Sequence, residues 1–146
     1  MGLPFAKGFG DLLVYQKARR LSNSIFAVTK SFPKEEAYSL TDQIRRSSRS
    51  VGAQIAEAWA KRRYPNHFVS KLTDADAEQN ETQHWIETAV DCGYLLVEQA
   101  KPMSDTLQEI GRMLQGMMNR AAEFKGDTYS RVKEDSADYG PPPTKY

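Results

Sequence analysis

Residues 11–32 read DLLVYQKARRLSNSIFAVTKSF, and within them Val14, Ala18, Leu21, Ile25, Val28 and Phe32 recur at spacings of four, three, four, three and four. That period lays one apolar stripe along a helix and does not fit the alternation of a strand. Asp11, following Gly8-Phe9-Gly10, stands where an N-cap belongs. The same rhythm returns in Leu40, Ile44, Ser47/Ser48, Val51, Ile55 and Ala58/Trp59, a second stretch that begins near Ser39 with Asp42 in its first turn. Gly52 and Ala53 in that stretch are expected to let two helices approach closely. A third stretch follows Pro65, is capped by Asn66 and runs to about Glu98. Its apolar ends (Phe68 and Leu72, then Trp85, Ile86, Ala89, Cys92, Leu95 and Leu96) flank a polar middle from Asp74 to Gln83, where a kink or frayed centre is expected. The fourth, capped by Ser104, carries Leu107, Ile110, Leu114, Met117, Ala121 and Phe124, and Gly126 is its stop.

Pro33, Pro65 and Pro102 separate these four stretches. Four amphipathic helices joined by short loops predict an all-α fold, an antiparallel up-and-down four-helix bundle over residues 11–125. Residues 1–10 read as a flexible arm. Residues 126–146, with Pro141-Pro142-Pro143, read as a flexible tail unless Tyr129 and Val132 dock onto a neighbour.

The chain has 146 residues, a length that suits one domain, and 20 Lys+Arg against 19 Asp+Glu give a net charge of +1. No run of about 18 apolar residues is present to cross a membrane. The opening Met1-Gly2-Leu3-Pro4-Phe5-Ala6-Lys7 lacks the apolar stretch of a secretory signal, so the expected compartment is a reducing cytosol. Cys92 has no second cysteine to pair with, which excludes an internal disulfide, and it is expected in the core. The small net charge hides an asymmetry: 13 Lys+Arg against 5 Asp+Glu up to Thr73, then 7 against 14 from Asp74 onward. Either two faces carry opposite sign, or the helices merely bear solvated charges.

Catalytic and metal-binding arrangements are thin. Glu81-x-x-His84 is half of a di-iron bundle motif, but the other histidine, His67, has no acid three residues before it. Two histidines without a strained nucleophile turn make no hydrolytic triad. The sharper signal is basic. Arg45 and Arg49 are one helical turn apart on the second helix, with Lys61, Arg62 and Arg63 at its far end. Arginine forks suit phosphate oxygens, and Trp59 and Tyr64 stand near enough in sequence to stack on bases. The alternative reading leaves one arginine paired with acids of helix three and the rest solvated.

Specific segments resemble a known family. Asp11-Leu12-Leu13-Val14-Tyr15-Gln16-Lys17-Ala18, Phe32-Pro33-Lys34-Glu35-Glu36 and Leu40-Thr41-Asp42-Gln43-Ile44-Arg45-Arg46-Ser47 are similar to stretches of the small bacterial four-helix-bundle proteins encoded within intervening sequences of large-subunit ribosomal RNA genes. So are Ile55-Ala56-Glu57 followed by Arg62, Glu81-Thr82-Gln83-His84-Trp85-Ile86 and Gly93-Tyr94-Leu95. Gln54 and Ala58 depart from the family pattern, which has Asn and Gly there. The resemblance implies a bundle that assembles as a ring-like homo-oligomer, a pentamer. It also implies kinship with the accessory proteins of diversity-generating retroelements, which bind reverse transcriptase and nucleic acid.

With helices two and three facing each other, Glu57 and Glu81 are expected to turn inward and pair with Arg46 and Gln43 in a buried polar network. Off-stripe Tyr15, Phe26, Tyr64, Met113 and Met118 are expected to form a contact surface between subunits. The expectation is a non-enzymatic, cofactor-free scaffold that self-associates. It either binds RNA or DNA through Arg45, Arg49, Lys61, Arg62 and Arg63 or serves as a protein–protein adaptor without nucleic acid.

Overall fold

The computed structural model describes residues 6–125. Four long helices, α1 (Leu13–Thr29), α2 (Asp42–Ala60), α3 (Pro65–Asp91) and α4 (Val97–Asn119), form the bundle, and a single turn, α5 (Ala121–Phe124), follows. Neighbours around the bundle are α1–α2, α2–α3, α3–α4 and α4–α1. Consecutive helices run antiparallel: Arg46 of α2 meets Glu81 of α3, while Glu57, three turns further on, meets Lys71.

The core is the apolar stripe of each helix turned inward. Ile25, Ile44, Ile55, Leu72, Ile86, Leu107, Ile110 and Leu114 are fully buried, and Phe68 packs on Phe124 with ring centroids 5.0 Å apart. Burying such a side chain contributes about 1.5–3 kcal/mol, so this set outweighs any surface ion pair.

Helix ends differ from the sequence reading, each for a local reason. Leu12, not Asp11, is the N-cap of α1. Leu12 is buried, and Asp11 instead accepts the backbone N–H of Lys7 at 2.7 Å. Residues 6–10 lie against the bundle rather than forming a loose arm: Ala6 is buried and Phe9 stacks edge-on against Tyr15 at 4.9 Å. A wide helical turn over Ala37–Thr41 leads into α2 at Asp42. Pro65 is the first residue of α3, where its missing N–H and fixed φ are harmless, and Tyr64 rather than Asn66 precedes it as cap.

The largest shift lies between α3 and α4. Helix α3 runs unbroken through its polar middle and stops at Asp91, because Gly93 takes a φ of +79° that glycine adopts freely. Leu96 becomes the cap of α4, its N–H held at 2.9 Å by the side chain of Gln99. Pro102 therefore sits inside α4 and Ser104 caps nothing. Pro102 is the sixth residue of α4, where it leaves the Glu98 carbonyl without its helical donor, and the helix nonetheless runs on to Asn119. Cys92 and Leu96 are consequently exposed rather than in the core. Gly126, Tyr129, Val132 and the rest of 126–146 lie outside the described residues.

Close helix approach occurs at Gly111, not at Gly52. A Cβ at Gly52 would meet Tyr15 Cε1 at an ordinary 3.6 Å, whereas one at Gly111 would lie 2.9 Å from Nε2 of Gln79.

Candidate functional site

The basic residues of α2 and the turn after it fall into two groups, with Arg49 and Lys61 about 18 Å apart at the helical rise per residue. At the N-terminal end, Arg45 and Arg49 turn toward α1 and gather with Lys30 around Phe26. The two guanidinium carbons lie 4.6 and 5.4 Å from the ring centroid, and Lys30 Nζ lies at 5.0 Å. Arg45 is anchored: its Nε donates to Thr29 Oγ1 at 2.8 Å, and an Nη donates to the Phe26 carbonyl at 3.4 Å. The aromatic face attracts cations, and three of them share one ring here. None of Lys30, Arg45 or Arg49 forms an ion pair with any described residue. Arg49 also borders a groove of about 350 Å³ between α1 and α2, with Tyr15, Arg19 and Asn23 on the opposite wall.

At the other end, Lys61 and Arg63 are exposed in the turn before α3 and likewise form no ion pair with a described residue. Arg62 behaves differently. Its guanidinium lies 4.3 Å from the centroid of Trp59 and donates to the Trp59 carbonyl at 3.0 Å. Trp59 is 7% exposed, so it is a packing residue and not a stacking platform for bases. Tyr64 remains exposed, next to His67. Lys30, Thr29 and Phe26 were not among the expected site residues. The available signal was the spacing of Phe26 and Lys30, one helical turn apart.

The expected buried network is not one network, nor is it buried. Arg46 pairs with Glu81 and, at 3.5 Å, with Glu78, but its side chain is 51% exposed. The contact with Glu81 raises the Arg46 guanidinium above its already high pKa. Trp85 Nε1 donates to Glu81 at 3.0 Å. Glu57 faces outward and pairs with Lys71 at 3.1 Å, which also donates to Gln54. Gln43 joins neither pair. Long charged side chains at a helix edge reach solvent instead of accepting the desolvation of a core.

The buried polar groups are shorter. The hydroxyls of Ser47 and Thr82 meet at 2.8 Å across α2 and α3. Gln79 donates to Asp76 at 2.9 Å and accepts from Gln83 at 2.6 Å, beneath Gly111 of α4. Between the two loops at one end of the bundle, Tyr94 donates to Glu36 at 2.9 Å, and that carboxylate pushes the phenol up to about 12. His84 stands exposed against Trp85, and among the described residues no three His, Cys, Asp or Glu side chains are grouped to hold a metal ion. No helix among them is long and apolar enough to cross a membrane.

Residues 10–116 match the model of the 23S rRNA-intervening sequence protein family. The chain belongs to this family. Its fold is similar to a solved protein of unknown function from the S23 ribosomal protein family of Bacteroides thetaiotaomicron, with a TM-score of 0.64 and 27% identity over 73% of this chain and 98% of that one. No curated protein matches the sequence.

Proposed function

We propose that this member of the 23S rRNA-intervening sequence protein family is a non-enzymatic scaffold that self-associates and engages nucleic acid through the basic edge of α1 and α2. The carrying observation is the gathering of Lys30, Arg45 and Arg49 around Phe26 with no acid from any described residue to neutralise them. Like charges held together and left open to solvent favour an anionic partner, and arginine forks favour phosphate. Arg19 of α1 extends the edge beside Arg49, whereas Lys17 lies toward α4 and pairs with Glu109. The acids are concentrated on α3, on the far side of the bundle from α1.

Self-association has separate support. A head-to-tail contact that leaves the basic edge clear closes into a ring when the rotation allows. The resemblance to ring-forming relatives makes five copies the expected number. An adaptor without nucleic acid is the second reading, favoured by exposed Tyr38 and Tyr64.

Labelled single-stranded RNA and duplex DNA, titrated at about 50 and 200 mM salt, test the first reading. Three or four phosphate contacts imply affinity falling roughly 10- to 100-fold between the two salts, without dependence on base sequence. Absence of binding at the lower salt leaves the adaptor.

A further inference from the structure

The far side of the bundle holds a second groove of different chemistry. About 320 Å³ in volume, it lies between the last turns of α3 and the first turns of α4. Ile86, Val90, Val97 and Ala100 give it an apolar floor, and Glu87 and Asp91 form its α3 wall. On the α4 wall the charge of Lys101 is already matched by Asp105 at 2.9 Å. Glu87 and Asp91 have no cation among the described residues.

Asp91 ends α3, where the helix dipole disfavours negative charge, and that last turn contains no basic residue; Glu87 stands one turn before it. They are also four residues apart, so they repel each other. Beside them Leu96 and Val97, each 64% exposed, hold apolar surface in water. A partner relieves all of these at once if it brings an apolar side chain to the floor and a cation, one helical turn away, to the α3 wall. We propose that this groove docks a basic amphipathic helical segment of a partner protein. Nucleic acid is disfavoured here by sign, so the site is separate from the basic edge of α1 and α2 and does not depend on it.

The test uses a fluorescent amphipathic peptide of leucine and lysine, about 14 residues long so that it can be helical when bound, and its leucine–glutamate counterpart. Titrated with the full chain, the lysine peptide should bind and the glutamate peptide should not. Replacing Glu87→Lys and Asp91→Lys together should weaken binding at least about tenfold, and Val97→Ser should weaken it too. The matched pair Asp42→Lys with Asp74→Lys, exposed acids away from the groove, should leave it unchanged. On the unsubstituted protein, methyl resonances of Ile86, Val90 and Val97 should shift while those of Ile44 stay in place, a result that needs no variant to fold. Equal losses in both pairs of variants, or no binding by the unsubstituted chain, overturn the proposal. So does a fall in oligomer mass for the Glu87→Lys, Asp91→Lys protein together with no peptide binding, which assigns the groove to a second copy.

Discussion

A methyl group added at Gly111 would lie 2.9 Å from Nε2 of Gln79 and 3.2 Å from Oδ1 of Asp76. Gln79 is 4% exposed and held by Asp76 and Gln83, so it cannot swing aside without breaking hydrogen bonds worth about 1 kcal/mol each. At Gly52 the same methyl meets only the Tyr15 ring at 3.6 Å and gains helix propensity of about 0.8–1 kcal/mol. Urea denaturation should therefore find Gly52→Ala more stable than the parent and Gly111→Ala less stable, the two differing by about 1–3 kcal/mol. The same sign at both positions would contradict the packing described. The sequence pointed to Gly52 because it stands beside apolar Val51. Nothing near Gly111 in the chain announces that a glutamine from another helix lies beneath it.

At the scale of elements, the helices were legible because burying an apolar stripe fixes both period and facing. Their ends were not. Pro102 reads as a break, yet α4 runs through it to Asn119, and the true break needed only the positive φ of Gly93. The site was legible in residue type and only partly in place. Arg49, Lys61 and Arg63 are exposed and Arg45 is half-buried against Thr29 and Phe26, whereas Arg62 and Trp59 pack on each other and Glu57 turns outward. Two predictions concern how the elements are tied. Glu81 joins α2 to α3 through Arg46 and also accepts from Trp85, while Glu123, among the described residues, pairs with its near neighbour Arg120. Glu81→Ala should accordingly cost about 0.5–1.5 kcal/mol, against about 0–0.5 for Glu123→Ala, measured by thermal melts. Equal effects would contradict the tie. The second concerns Tyr94, which joins the α1–α2 and α3–α4 loops through Glu36. Its pKa is raised to about 12 from 10.0, so the folded state holds this proton more tightly than the unfolded chain does. The stabilisation is complete below pH 10 and fades toward pH 12. The melting difference between the parent and Tyr94→Phe should shrink across that window. A constant difference would show that the hydrogen bond does not matter.

At the scale of the whole molecule, charge is segregated in space as well as in sequence, with cations along α1 and acids along α3. A head-to-tail contact that leaves the basic edge clear should give a light-scattering mass near five times 16.5 kDa. A dimer or tetramer would keep the contact and reject the ring of five, and a monomer would remove both. A ring repeats the basic edge in every subunit and multiplies weak contacts through avidity. One titration reaches that edge directly. With labelled single-stranded RNA at about 50 mM salt, Arg45→Gln with Arg49→Gln should reduce affinity by at least about tenfold, with the oligomer mass unchanged. RNA binding by this variant that equals the parent's would contradict the assignment of the basic edge.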